Sequence, residues 1–486
     1  MRTLVAGVWA ALGVSVAVGC AGRVADPTTG SRVVADPCLV IPPPAVPLDT
    51  VTVVVEERGY PSDSILRELS RNVLDARAVT PAFALAQVYE PLVRVTCDGR
   101  FVPAVATSWF GDASGRSWSF HLRGNARFSD GTPVTAQAVV GDWTHRHLDR
   151  LAIESFRMVW SMTVDGDSVV NVSARDSQPG GPMLFGHPLF SVGGRDSSGA
   201  WTPGTGPYVP DALASTSERT VLRPAGLGSL PTLIVRARGV ADERDLLDAG
   251  VDILETRDPT VIDYARRIEN YGVYPLPWDR TYALVITPSA ERLTRAVSDT
   301  MSPADADEFR VALARDAVRA DGRPAAAPTW WSADLSCLLY PPMFSRSFSV
   351  ERGERRIAYP DGDPVARALA ERIVAIARDT RASAPARRAL TSLAPELMGD
   401  GSVPFAAPVE RLGSGNSVPP AYVLPLPRQT TSRCWSQSEF RLTHGWRFPE
   451  RPIPLIDTRS YLIARRGAPA VSVDWEGRLR IHPSPR

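Results

Sequence analysis

The sequence predicts a mixed α/β protein of more than one domain, and three observations carry that expectation. β-branched or alternating runs such as VTVVVEE (Val51 to Glu57) and RSWSFHLR (Arg116 to Arg123) read as strands. ALAQVYEPL (Ala84 to Leu92) and TAQAVVGDW (Thr135 to Trp143) read as helices, with turn-forming Gly, Pro and Asp between the two kinds of segment. The third observation is size: 486 residues, 44% of them hydrophobic, suffice for roughly two to four domains with real cores.

The N-terminus stands outside the fold. Arg2 precedes the apolar run LVAGVWAALGVSVAVG, short for a membrane span and the right length for a secretion signal over residues 1–19. Small residues Ala17, Val18 and Gly19 before Cys20 resemble a bacterial lipobox, so Cys20 is expected to be the lipidated first residue; the alternative is an ordinary signal peptide with an incidental cysteine. Residues 20–48, rich in Pro, Gly, Ser and Thr, read as a lipid-anchored tether.

Export gives the other cysteines a meaning. Cys38, Cys97, Cys337 and Cys434 are an even number in an oxidising compartment, which favours disulfides. Pairing within each half of the chain would join Cys38 to Cys97 and Cys337 to Cys434, although four cysteines allow three connectivities. No CxxC occurs and the six histidines are scattered. His145 and His147 form the one HxH pair and fall on different faces of a helix, so neither a metal nor a cofactor is expected.

Charge excludes another class. The 54 basic residues, all Arg, balance 53 acidic ones to a net of +1, leaving no field to drive nucleic-acid binding. Catalysis is equally unsupported: there is no GxSxG elbow, HExxH, P-loop or strand-to-helix GxGxxG. LGSGNS (Leu412 to Ser417) reads as a flexible connection, and the near-adjacent acids Glu56 with Glu57 and Asp361 with Asp363 read as solvated surface. No enzyme is expected.

Along the chain, CDGR at Cys97 to Arg100 reads as a hairpin tip. FSDGTPVTAQAVVGDW (Phe128 to Trp143) reads as a strand end, a turn at Asp130-Gly131, and a helix capped by Thr135 that buries Val139, Val140 and Trp143.

In order, VYEPLVRV, CDGRFVPAVATSW, WSFHLRGNARFSDGTPVTAQAVV and GTGPYVP (Gly204 to Pro210) resemble bacterial extracellular solute-binding proteins of family 5, the peptide- and nickel-binding type that serves ABC importers. Ala138 departs from the usual Asp. LLDAGVDILE, FRVALARDAVR and IPLIDTRSYLIARR with VDWEGRLRI resemble later parts of that family. The resemblance implies a two-lobed periplasmic-binding-protein-like α/β fold with an extra subdomain in a discontinuous N-terminal lobe. Its segments are 51–62, 193–272 and 450–486 for the first lobe's main sheet, 65–192 for the extra subdomain and 273–449 for the second lobe.

The same resemblance implies a solute cleft between the lobes and closure about crossing strands. Candidate ligand contacts are Glu57, Arg58 and Tyr60 after the first strand, and Trp278, Asp279, Arg280 and Tyr282 at the first crossing. Trp330 and Trp331, with Tyr340, and Trp435 beside Cys434 are second-lobe aromatic candidates; Asp279 and Asp334 are available to a peptide amine. The expectation is a monomeric, lipid-anchored extracytoplasmic receptor that captures a small solute, a short peptide, and delivers it to ABC permease subunits. The alternatives are a sensor or envelope-interaction lipoprotein without transport and, weakest, an envelope hydrolase.

Overall fold

The computed structural model describes residues 36–55, 82–146, 159–175, 181–186, 190–193, 203–216, 218–226, 229–237, 241–286, 322–324, 356–360, 363–378, 387, 390, 405–408, 421–427, 451–475 and 477–483. Within residues 37–486, one compact unit, sheets of seven, six, four, three and two strands organise the described segments.

The central strand Thr50–Val55 (TVTVVV) buries Val51, Val53 and Val55 on one face and Val54 on the other, as a strand covered on both sides does. It lies parallel to Thr232–Ala237 on one side and Ile253–Thr256 on the other. The full order of this seven-stranded sheet is Tyr271–Pro275, Tyr461–Arg465, Ile253–Thr256, Thr50–Val55, Thr232–Ala237, Arg219–Pro224, Tyr208–Pro210. On one face Val54, Leu254 and Ile463 pack with Leu246, Val251, Val261 and Ala265. The last four come from helices Glu243–Asp248 and Pro259–Ala265 and the turn between them. Asp242 and Asp258 cap these helices by accepting from the N–H two residues on, and Pro259 occupies the first helical turn, where its missing N–H costs nothing. Gly250, at φ 81°, ends the first of them: its N–H donates to Leu247 O and that of Val251 to Leu246 O, a Schellman closure that requires the left-handed residue.

The opposite face packs Val51, Val53, Leu233, Val235, Ile253 and Leu462 against Phe83, Leu85 and Val88 of the helix Ala82–Val88 and against a three-stranded sheet. That small sheet pairs Leu39–Ile41, Val471–Val473 and Leu479–Ile481, which corrects the expectation of a tether over 20–48: Cys38 and Ile41 are buried in the fold. Gln87 joins the helix to the last of these strands. Its side-chain amide donates to Leu479 O at 2.9 Å, and its Oε1 accepts from Ile481 N at 3.3 Å.

The segment GTGPY closes against the same helix. A Cβ at Gly204 would overlap the Val88 carbonyl, and one at Gly206 would overlap that of Gln87. Gly206 N–H donates to Val88 O at 2.8 Å, so the two glycines permit a backbone-to-backbone approach that no larger residue allows.

Between these contributions lies a four-stranded antiparallel sheet, in the order Ala106–Gly111, Ser117–Leu122, Val169–Ala174, Val159–Asp165. The helix Ala136–Arg146 covers it. Gly131 (φ 87°) makes the expected turn, Asp130 accepts from Thr132 N–H, and Thr135 Oγ1 accepts from Ala138 N–H at 3.1 Å as the N-cap. Phe128, Val139 and Trp143 are buried, and Trp143 meets Phe190 edge-on at 5.3 Å. Val140, expected in the core, is only partly buried against it. Thr96 to Arg100 forms the hairpin tip with Gly99 at φ 81°, and a disulfide joins Cys97 there to Cys38.

The six-stranded sheet runs Gly322–Pro324, Arg451–Thr458, Arg280–Ile286, Ala421–Pro427, Arg356–Tyr359, Phe405–Pro408. The helix Pro364–Arg378 lays Leu369, Ala370, Ile373 and Val374 against it, and Asp363 caps that helix by accepting from Val365 and Ala366 N–H. Asp363 is thus a structural cap rather than the solvated acid its sequence neighbourhood suggests.

Two connections join the seven- and six-stranded sheets: 276–279 leads from Tyr271–Pro275 to Arg280–Ile286, and 459–460 from Arg451–Thr458 to Tyr461–Arg465. They run side by side, with Leu276 N–H donating to Ser460 O at 2.9 Å. The strands change sheets a few residues later than the boundaries at 273 and 450 place the change, because Val273 still pairs with Ile463 and Arg451 with Ile286.

Candidate functional site

The two connections carry a dense set of polar and aromatic side chains. Arg257, just beyond the strand Ile253–Thr256, donates two hydrogen bonds to Asp279, Nη1 to Oδ1 at 3.1 Å and Nη2 to Oδ2 at 2.6 Å. Both side chains are largely buried, so the pair joins the seven-stranded sheet to the first connection through a planar fork. Asp457, fully buried near the end of Arg451–Thr458, accepts from Thr281 Oγ1 at 2.7 Å and from Arg323 Nε at 3.1 Å. Ser460 Oγ donates to Glu255 Oε1 at 2.8 Å, and Thr256 Oγ1 donates to Glu243. Each bond satisfies a polar group that sheet packing has taken from water.

Trp278 stands at the centre. The guanidinium carbon of Arg323 lies 4.4 Å from its ring centroid and that of Arg459 4.7 Å, both within the range of cation–π attraction. Arg459 also sits 5.2 Å from the Tyr461 ring and donates to the Tyr461 hydroxyl at 3.1 Å. The result is a half-buried aromatic surface edged by arginines where the chain twice passes between sheets.

The four candidates at this crossing divide. Trp278 and Arg280 keep accessible surface. Asp279 and Tyr282 do not: Asp279 is held by Arg257, and the Tyr282 hydroxyl donates to the Asp363 carboxylate at 3.0 and 3.1 Å. Burial pushes the Tyr282 hydroxyl above its ordinary pKa, so it stays protonated and remains a donor. These two are frame residues, which corrects the expectation that they face a ligand.

Arg257, Arg323, Asp457, Arg459 and Tyr461 were not singled out in the sequence. They converge through strand pairing, and no local motif announces them. Glu57, Arg58, Tyr60, Trp330, Trp331, Asp334, Tyr340, Trp435, Cys20, Cys337 and Cys434 lie outside the described residues. Among the described residues, the one group with metal-ligand geometry is Cys38, Cys97 and Asp98. Its two sulfurs form the disulfide and are not thiolates. No helix among the described residues is long and apolar enough to cross a membrane.

Comparison with known proteins bears on the same architecture. Residues 100–224 match the family described as bacterial extracellular solute-binding proteins, family 5 Middle. The periplasmic murein peptide-binding protein MppA of Escherichia coli (strain K12) is 33% identical over 145 residues, 26% of this chain and 26% of that protein. Alignments with curated relatives span between 10% and 26% of those proteins' lengths. The fold is similar to that of NikA from Staphylococcus aureus in complex with Ni(L-His)2, with a TM-score of 0.55 and 13% identity over 90% of this chain and 100% of that one. It is also similar to the unliganded open form of the murein tripeptide-binding protein MppA, with a TM-score of 0.51 and 14% identity over 90% and 99%. At these identities the likeness concerns the α/β architecture of two-lobed solute-binding proteins.

Proposed function

Because residues 100–224 carry the middle region of solute-binding family 5 and the chain shares the fold of such proteins, we propose that it is an extracytoplasmic solute receptor of an ABC importer. The observation that carries the reading is the pair of adjacent connections between the two large sheets, overlaid on that fold. Two adjacent crossings let one sheet rotate against the other while both stay attached, which is the mechanical requirement for closing around a ligand. Trp278 and Arg280 are the candidate contacts with accessible surface at this junction.

The solute we propose is a short peptide. A peptide backbone offers regular donors and acceptors to strand edges, so one site tolerates many sequences. In this reading the protein is monomeric, anchored through Cys20, segmented into lobes near the two crossings, and performs no chemistry on its ligand. Protein freed of co-purified ligand, heated with pools of di- to pentapeptides, should unfold at a higher temperature. A ligand at a hundredfold excess over its Kd adds about 2.7 kcal/mol. No shift with any peptide pool, nor with a nickel–histidine complex, would overturn the receptor reading and favour an envelope-interaction role.

A further inference from the structure

The four-stranded antiparallel sheet has two unlike faces. Inward, Phe120, Leu122, Val170 and Val172 are buried with Val139 and Trp143 of the helix Ala136–Arg146. Side chains alternate along a strand, so the residues between these point away from the helix. There the register aligns Phe110, Ser119, Asn171 and Thr163 in one row across all four strands. The next row holds Ser117, Ser173 and Ser161, and beside it Trp160 occupies the irregular position between Val159 and Ser161. Phe110 and Trp160 keep 73% and 72% of their surface exposed. From this arrangement we infer that the outer face is a binding site for an uncharged, extended glycan chain.

Charge narrows the choice of occupant. The four strands contain no Arg, Lys or Glu and a single Asp, Asp165 at one corner, in a chain where 22% of residues are charged. Such a face offers little to offset the desolvation of an ionic partner, whereas it matches a neutral polyhydroxylated one. The spacing of the rings narrows it further. Phe110 and Trp160 stand on opposite edge strands, three strand intervals or about 14 Å apart across the sheet. Hydroxyls and an amide lie between them, not the continuous apolar patch that a hydrophobic protein partner needs.

A sugar chain presents both kinds of group. Its C–H bonds, polarised by neighbouring oxygens, rest on the negative face of an aromatic ring, and its hydroxyls donate and accept. Ser119 Oγ donates to Asn171 Oδ1 at 2.6 Å, which leaves the Asn171 amide N–H groups as donors with no acceptor among the described residues. The Ser117 and Ser173 hydroxyl oxygens lie 3.4 Å apart. At the margin, the Arg175 guanidinium carbon sits 5.3 Å from the Trp160 ring centroid and steadies that ring. A chain that reaches both rings spans several sugars, and an extended β-linked one can lie along an open sheet where a coiled α-linked one cannot. The site lies on this sheet and not on the connections between the two large ones, so it does not depend on the solute reading.

The test is calorimetric titration of the whole protein with cellohexaose, chitohexaose and, as the coiled control, maltohexaose. The expected result is saturable binding of at least one of the two extended oligosaccharides, at least tenfold tighter than maltohexaose and unchanged by added sodium chloride. Phe110→Ala and Trp160→Ala should each weaken it tenfold or more while leaving the unfolding temperature of the sugar-free protein in place, because both side chains are exposed. No binding of either extended chain, binding undiminished in both variants, or binding abolished by salt overturns the proposal. Equal affinity for maltohexaose overturns the requirement for an extended chain.

Discussion

Arg257 and Asp279 meet in a two-point fork, at 3.1 and 2.6 Å, across the junction where the chain leaves one large sheet for the other. A buried pair of this kind is weak evidence of net stabilisation, but removing one partner strands the other charge, at a cost of about 3–5 kcal/mol. Asp279→Ala should therefore lower the stability measured by urea unfolding by roughly that amount. The double change Arg257→Met with Asp279→Leu should recover much of it. A full loss in the double variant as well would show that the residues act through packing and not as a pair.

Trp278 predicts a smaller effect. Each arginine over its ring contributes about 0.5–1 kcal/mol at a partly exposed site. Trp278→Leu, which keeps apolar bulk, should cost on the order of 1–2 kcal/mol, and Trp278→Phe less, because the smaller ring retains a weaker version of both contacts. Equal losses in the two variants would remove the aromatic character from the explanation.

The disulfide between Cys38 and Cys97 spans 59 residues. Closing a loop of that length restricts the unfolded chain by about 4 kcal/mol in the entropic treatment, with measured values commonly nearer 2–4. Cys97→Ser, or reductant acting on the wild type, should lower the denaturant midpoint accordingly. A midpoint insensitive to both would mean that the hairpin tip is already fixed by its Thr96 to Arg100 bonds.

Two glycines should respond differently to alanine. At Gly204 the added methyl group overlaps the Val88 carbonyl, so the helix end must move and the loss should exceed that at an ordinary core position. At Gly131 the space is open but φ is 87°, so the cost is the left-handed strain alone, on the order of 1 kcal/mol. Thermal unfolding of both variants gives the order, and a reversed order would refute the close-approach account of GTGPY.

Asp242 supplies a pH dependence. Its hydrogen bonds from the Arg244 side chain and backbone, with the Arg244 charge, hold its pKa down at about 2. A depressed carboxylate pKa stabilises the fold fully above the unfolded value, near 4, and loses that effect as pH falls through the folded value. Asp242→Asn still caps the helix. It should be less stable than wild type at pH 6 and converge with it near pH 2. Parallel curves over that range would contradict the assignment.

The parts of the fold written locally were legible. The Asp130-Gly131 turn, the Thr135 cap, the Gly99 hairpin and the β-branched central strand each depend on residues within a few positions of one another. The crossing was legible only as a place. Its bonds join Arg257 to Asp279, Arg323 to Asp457 and Ser460 to Glu255, the last pair 205 residues apart, and no periodicity encodes such partners. Proline also obscured the six-stranded sheet. RPIPLIDT reads poorly as an interior strand, yet it pairs along its whole length with Arg280–Ile286. Gly322–Pro324 reaches only its Ile456 to Thr458 end, so the prolines at 452 and 454 face no second partner among the described strands.

Gln87 has a practical consequence for shortening the chain. One amide side chain holds the backbone of the final strand on both sides of Arg480, while the carbonyls at the same helix end receive the glycine segment. Trimming the C-terminus back past Leu479 would therefore do more than shorten a tail. It would open the face beneath Thr50–Val55 to water and strand a buried amide, so loss of solubility is the expected mark of a cut made a few residues too early.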